Sequence, residues 1–444
     1  MRGKRFYSNS FRDLFVLSLP TFVSFSLQNL YALVDIFWIS RLGTSAIAAV
    51  SLASVVNFII FTVSQTIAVG ATAYVSQLKG KKNWEGILSF SAQAISLALY
   101  SGLLLSILVF LFPAQAMRLM GARGEVINLG RAYLLALAPF IVFFTLNFAI
   151  NSLFRATGDT FTPMFILIIS NLTNIILDPI LIFGMKMGVK GAAVATGISY
   201  ALAFSYGLLK LIRLLGANPF IPHHPDLSLA GKILKVGLPS GIQFTLMSLT
   251  MIVLLRIVAG YGKAVVAAVG VAGRIMHFVQ IPLMSLAISS TIVAGQYLGM
   301  GEEKEAERTV LKILFTNVVL MGIMVLLIFP LAPPLMGFFS KEITTSGAEV
   351  LRFFLLAQVF VAVNVSISSA FRASGDTLPP LYVSMGRVSL LIALAPALSH
   401  FFSLRGIWYA MVTSAFLSSL LSLIFFIKRN WKARAVSRFV EVKT

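Results

Sequence analysis

The chain has 444 residues, of which 58% are hydrophobic and 11% charged, whereas a water-soluble domain carries roughly 25% charged residues, so composition excludes water as the main solvent. A net charge of +20, from 35 Lys and Arg against 15 Asp and Glu, would suggest nucleic acid for a soluble protein. In a membrane protein basic residues collect in loops and termini against anionic lipid, so no nucleic-acid partner is expected. The lack of cysteine excludes disulfides and thiol chemistry.

In chain order, Arg2, Lys4 and Arg5 precede an apolar stretch from Leu14 that is too long for a signal peptide and lacks a small-residue cleavage site, so it reads as a first span. Apolar stretches fall at 14 to 40, 46 to 76, 87 to 112, 131 to 153, 163 to 185 and 191 to 213, then at 238 to 260, 264 to 298, 311 to 335, 351 to 371, 379 to 401 and 406 to 427. Each approaches or exceeds the ~20 residues a bilayer crossing requires. The fold class expected is all-α integral membrane with twelve transmembrane helices. With both termini in the cytoplasm, Lys79, Lys81, Lys82, Lys232, Lys235 and the basic tail from Lys428 to Lys443 lie inside, as the positive-inside bias requires of a multi-pass protein of the cell membrane.

The two halves repeat. Phe154-Arg155-Ala156-Thr157-Gly158-Asp159-Thr160 returns as Phe371-Arg372-Ala373-Ser374-Gly375-Asp376-Thr377 at an offset of 217. Leu19-Pro20 returns as Leu238-Pro239, Gly43 as Gly262, and Gln77 with Gly80 as Gln296 with Gly299, all at an offset of 219. Six spans per half make the repeats parallel. The division expected is an N-terminal bundle over 1–215, a cytoplasmic linker over 216–229 and a C-terminal bundle with a basic tail over 230–444. In the repeated loop, Asp or Thr is placed to cap the next helix, Pro163 or Pro379 sits in its first turn, and Arg155 with Asp159, or Arg372 with Asp376, is spaced to pair.

Of the six aspartates and nine glutamates, only Asp35 and Asp178 lie within spans and away from their ends. An intramembrane acid costs roughly 2.5 to 3.5 kcal/mol by insertion scales and is a functional hypothesis by default. Asp35 lies six residues before Arg41, Asp178 eight before Lys186, and Thr196 five after Gly191, which at about 1.5 Å per residue puts all three at one level. Ser24, Gln28, Tyr31 and Asp35 share one helical face, and Asn171, Asn174 and Asp178 another. Pro179 has no N–H and frees the carbonyl of Ile175. These groups describe a water-accessible polar pocket in the first half. The repeat is an internal control: Asp35 corresponds to Leu254 and Asp178-Pro179 to Ala395-Pro396, so the scaffold itself does not need the acids.

Other polar residues carry less. His223-His224-Pro225-Asp226 reads as a solvated linker rather than a metal cluster. Arg274, His277 and Arg387 read as packing or cavity groups, and Arg256 as a snorkelling side chain. No phosphate loop, dinucleotide fingerprint, zinc motif or nucleophile elbow is present, so neither an ATP-driven pump nor an enzyme is expected.

Twelve spans in two parallel halves, Leu-Pro opening spans one and seven, the acid in Tyr31-Ala32-Leu33-Val34-Asp35, and the repeated Arg-Ala-x-Gly-Asp-Thr loop together resemble the multidrug and toxic compound extrusion (MATE) family over nearly the entire chain. That likeness implies two six-helix bundles in a V shape and Na⁺- or H⁺-driven export of cationic or amphipathic organic compounds. The sequence is most similar to the DinF-like branch, whose coupling residues match Asp35, Asn174, Asp178 and Thr196. The other major branch places acids where this chain has Met247 and the apolar stretch around Val361 to Val363, which argues against a coupling site in the second half.

The expected mechanism is antiport. A coupling cation, with Na⁺ as the metal alternative to H⁺, binds Asp35, Asn174, Asp178 and Thr196 and competes with a substrate in a pocket of Gln28, Tyr31, Asn57, Tyr133, Asn151 and Asn171. No cofactor beyond the coupling ion is expected, and the protein is expected to work as a monomer in the bilayer. A flippase for lipids or lipid-linked oligosaccharides of related fold is the alternative, but a pyrophosphate cargo calls for a cationic cleft where this chain offers acids.

Overall fold

The computed structural model describes residues 7–218 and 226–436; the linker histidines His223 and His224 and the last basic residues of the tail lie outside them. A bilayer core offers no water to backbone N–H and C=O groups, so each crossing must satisfy its own backbone, and the described chain is helical throughout. The helices of the first half are α1 (Phe11–Ser40), α2 (Thr44–Gly80), α3 (Trp84–Leu111), α4 (Pro113–Leu119), α5 (Glu125–Leu137), α6 (Ile141–Ala156), α7 (Phe161–Pro179) and α8 (Val189–Leu215). Those of the second are α9 (Leu227–Val258), α10 (Lys263–Met300), α11 (Glu303–Phe339), α12 (Thr344–Ser374), α13 (Leu378–Phe402) and α14 (Leu404–Lys428).

Twelve described helices are long and apolar enough to cross a membrane, as the hydropathy pattern predicts. Helices α5 and α6 form one crossing, interrupted by a 3₁₀ turn over Ala138–Phe140 that contains Pro139, which cannot donate to the helical ladder. The short α4 has no counterpart in the apolar pattern. Several helices outrun their apolar stretches: α2 has 37 residues and α10 has 38, about 55 Å at ~1.5 Å per residue. Hydropathy ends where lipid ends, whereas the hydrogen-bond ladder continues through polar residues such as Gln77 and Lys79.

The chain packs as two compact units. One is Leu19–Gly237; the other joins Tyr7–Ser18 to everything from Leu238 onward. This departs from the expected division at 216–229, because the exchange of chain falls inside α1 and α9, immediately before Leu19-Pro20 and Leu238-Pro239. In the first unit, residues 227–237 of α9 press against α2 so tightly that Gly70 abuts the carbonyl of Ile233 and Gly237 that of Thr66, the close approach that small residues permit between membrane helices. In the second unit, Leu14 and Leu17 are buried with Leu286, Val293 and Ile313. The lead into α1 is tied down there too: Asn9 donates its amide to Glu305 at 2.6 Å, and the Lys312 ammonium donates to the Asn9 carbonyl at 2.9 Å.

The repeated loop caps the next helix in its first copy, whereas in the second the N-cap Thr377 makes no side-chain cap and Asp376 pairs elsewhere. Asp159 accepts from the Thr162 N–H at 2.9 Å and from its hydroxyl at 2.7 Å, closing the start of α7. The expected pairing of Arg372 with Asp376 gives way to longer-range partners. Gly375 takes a left-handed φ of 86°, which turns Asp376 away from the last turn of α12, and that carboxylate receives Arg429 at 2.6 and 3.0 Å. Arg372 instead donates to Gln243 at 3.3 Å and lies 5.6 Å from the centre of the Phe244 ring.

One contact sets the geometry of the polar face described next. A side chain on Gly191, in the first turn of α8, would meet the Leu181 carbonyl carbon at 2.7 Å and the Ile182 nitrogen at 2.8 Å. Gly191→Ala is expected to destabilise the protein by about 1–3 kcal/mol, the usual cost of overpacking, whereas Gly231→Ala, inside α9 where nothing lies within 4 Å, is expected to keep or raise the melting midpoint in detergent, since alanine favours the helix over glycine by about 0.5–1 kcal/mol.

Candidate functional site

The site grows out of three helices of the first unit. Helix α7 carries Asn171, Asn174 and Asp178 on one face and ends at Pro179, after which the chain continues as a π-helical turn over Ile180–Gly184. Proline supplies no N–H to the ladder. Beyond it, the Met185 N–H closes on the Ile180 carbonyl at 2.8 Å in the wider i→i+5 pattern. π-Turns interrupt α-helices chiefly at functional positions. Tight apposition of Gly191 to this turn brings α8, and with it Thr196, against α7.

Side-chain hydrogen bonds connect the three helices. The Asn174 amide, fully buried, donates to Asp178 Oδ1 at 3.1 Å and approaches Thr196 Oγ1 at 3.4 Å, and Thr196 Oγ1 shares a 2.9 Å hydrogen bond with the Tyr31 hydroxyl of α1. Asn171 donates its amide to the Leu27 carbonyl at 3.0 Å, pinning α7 to α1 just below. Asp35 stands one helical turn beyond Tyr31. Its charge acts on Asp178 and on Tyr31, Tyr133 and Tyr200, so the two acids share one electrostatic environment.

Three buried oxygens in this cluster have no hydrogen-bond partner among the described residues: Asp35 Oδ1, Asp178 Oδ2 and Asn174 Oδ1. All three can only accept when the acids are ionised. Buried acceptors left unsatisfied are costly, and a small cation or a proton is the species that would relieve them. Among the described residues no group of three His, Cys, Asp or Glu is placed to hold a metal; the donor set is two carboxylates, an amide oxygen and a hydroxyl, the hard neutral and anionic oxygens that suit an alkali cation.

Of the expected substrate-pocket residues, Tyr31 and Asn171 touch this network directly. Tyr133 is buried, with Asn57 at its hydroxyl. Asn151 is buried with Oδ1 unpartnered, and Gln28 is half-buried on α1; neither has a hydrogen bond to the acid cluster among the described residues. Tyr200 and Asn147 are residues that the sequence reading missed. Tyr200 lies one turn after Thr196 on the same face of α8, and its carbonyl accepts the Asn147 amide at 2.8 Å. The i, i+4 spacing from Thr196 was the signal that would have found it.

The second unit serves as the control. Leu254 and Ala395, which replace the two acids, are 3% and 0% exposed and belong to its apolar core. Gly406 abuts the Leu398 carbonyl as Gly191 abuts Leu181, and counting five residues on from each glycine sets Met411, another core residue, where the first unit has Thr196. The same scaffold is thus filled with packed apolar side chains on one side and with the polar cluster on the other.

The MatE family model matches residues 20–180 and 239–397, most of the chain and once in each half. This chain belongs to the MatE family. It is 28% identical to the probable multidrug resistance protein YoeA of Bacillus subtilis (strain 168), over 97% of this chain and 96% of that one. It is 26% identical to the probable multidrug resistance protein NorM of Thermotoga maritima, over 97% and 95% of the two chains. A multidrug resistance MATE transporter solved in an outward-facing conformation superposes with a TM-score of 0.86 at 25% identity, covering 97% of both chains. The two family matches begin at Pro20 and Pro239, where the compact units also begin their continuous stretches.

The network makes Thr196 a bridging hydroxyl. Thr196→Ala is expected to leave Tyr31 and Asn174 without their shared partner and to cost about 1 kcal/mol, typical of one internal hydrogen bond; Thr196→Ser, which keeps the hydroxyl, restores the melting midpoint measured in detergent.

Proposed function

We propose that this multi-pass membrane protein exports multiple organic compounds by antiport, with a cation captured at Asp35, Asn174, Asp178 and Thr196 as the driving species. The observation that carries the reading is the trio of unpartnered acceptor oxygens, Asp35 Oδ1, Asp178 Oδ2 and Asn174 Oδ1, in a chain of a family whose similar members bear multidrug resistance names. The names of the similar proteins support transport, and the non-enzymatic reading is part of this proposal.

The cycle follows from electrostatics. Two carboxylates in one low-dielectric interior repel when both are charged, and a cationic compound or an inorganic cation lowers that repulsion. The two compete for one negative field. Asp35 and the tyrosines whose phenols its charge reaches, Tyr31, Tyr133 and Tyr200, would give the substrate one charge, three hydroxyls and aromatic faces, chemistry that attracts organic cations without demanding one shape. Neutralising the acids removes the attraction for the substrate and alters the load on the Pro179 π-turn, the one place in α7 where the ladder is already interrupted. Entry of one positive charge down a membrane potential supplies about 2.3 kcal/mol per 100 mV, equivalent to roughly a fifty-fold substrate gradient, so a single coupling ion suffices energetically. We place the protein in the cell membrane, acting as a monomer with both termini in the cytoplasm, on the strength of the basic residues gathered at those ends.

Purified protein in liposomes, loaded with a fluorescent organic cation, tests the coupling. Efflux is expected to respond to an imposed Na⁺ gradient at clamped pH, or to a pH gradient at clamped Na⁺; a response to neither would refute antiport. Asp35→Asn and Asp178→Asn are each expected to abolish gradient-driven efflux while inserting and purifying normally, and wild-type rates in either variant would remove that acid from the mechanism.

A further inference from the structure

The second unit has a cavity that the transport cycle does not use. It lies at the end of α14 and is lined by Ile424, Phe425, Lys428, Arg429, Asn430 and Arg434, with a volume of about 440 Å³, inside the range of roughly 300–1,000 Å³ typical of ligand pockets. Its walls divide by chemistry. Ile424 and Phe425 belong to the penultimate turn of the span, and the exposed Ile427 beside them is 78% accessible, the surface of a helix still facing acyl chains. One turn further on, the lining becomes cationic, at the boundary where apolar helix gives way to polar chain.

The cationic rim is held in place. After α14, Trp431 is buried and stacks on Phe426 at 5.8 Å, Lys432 pairs with Glu307 at 2.7 Å, and Ala435 and Val436 are buried. The charges do not cancel. One carboxylate, Asp376, meets Arg429 at 2.6 Å and Arg434 at 3.7 Å. Lys428 is exposed, and its ammonium has no partner among the described residues. Two arginines therefore share one acid and Lys428 adds a third, unpaired cation, around a cavity open beside an apolar wall.

We infer that this cavity binds the phosphate of an anionic phospholipid, with Lys428 and Arg434 at the head group and Ile424 and Phe425 along the first acyl carbons. Charge favours an anion. The apolar wall one turn deeper favours an anion attached to a chain over free phosphate, since a soluble anion gains nothing from Ile424 or Phe425. A zwitterionic lipid offers the same phosphate together with an ammonium that the cationic rim repels.

The test uses the full-length protein in detergent, titrated with phosphatidylglycerol, phosphatidylcholine or inorganic phosphate and read by native mass spectrometry. Wild type is expected to retain one phosphatidylglycerol in preference to phosphatidylcholine. Lys428→Ala combined with Arg434→Ala is expected to weaken that retention about 25-fold, roughly five-fold for each cation near a membrane surface. Arg429 is left in place because it holds Asp376. Lys428→Ala alone, at an exposed position, gives the smaller five-fold loss should the double variant fold poorly, and Lys428→Arg restores retention. Equal retention of the two lipids by wild type, equal retention of phosphatidylglycerol by wild type and Lys428→Ala, or binding of inorganic phosphate as tight as that of phosphatidylglycerol would each overturn the inference.

Discussion

A carboxylate inside a helix bundle that faces lipid survives only where protein dipoles or a captured cation replace water, and the interior of the first unit is arranged around that requirement. Asn174 gives one amide to Asp178 and reaches Thr196, Thr196 is shared with Tyr31, and Asp35 adds its charge to the same space. The arrangement satisfies part of the acceptor capacity and leaves three oxygens without donors. A fully satisfied network would be inert. A partly satisfied one keeps acceptor capacity that a cation or a proton would complete.

The second unit explains what the acids are not for. It repeats the loop motif and the glycine contact between its last two spans, yet fills the corresponding interior with Leu254, Ala395 and Met411. The second unit has side-chain hydrogen bonds of its own, such as Asn317 to Ser366 and Ser369 to Ser290, but no acid at either position, so such a bundle holds together without the two carboxylates. The Pro179 π-turn interrupts the α-helical ladder next to Asp178, and Gly191 packs directly against it from α8.

The exchange of α1 and α9 segments between units follows from helix packing rather than from connectivity. Glycines at 70 and 237 let two backbones meet within the first unit, and leucines at 14 and 17 are drawn into the second. Each exchange ends at a proline, where the ladder is weakest. A boundary read from the polar linker could not reveal this, since the linker marks where the chain leaves the membrane and not where side chains find their partners.

Much of the protein was legible before any fold was known. Twelve crossings follow from apolar length, because a bilayer has one thickness; the repeat follows from spaced motifs; and the two acids stand out because charge is costly in lipid wherever it occurs along the chain. Helical periodicity sufficed to group Tyr31 with Asp35 and Asn174 with Asp178, since each pair lies on one helix. Contacts between helices were decided only in three dimensions: Thr196 bridging α1 and α7, Asp376 turning from Arg372 to Arg429, Tyr200 entering the cluster, and the basic cavity at the end of α14. Periodicity fixes direction around a single axis, whereas the distance between two axes depends on glycines, prolines and π-turns acting together, and that is information the linear chain holds only jointly.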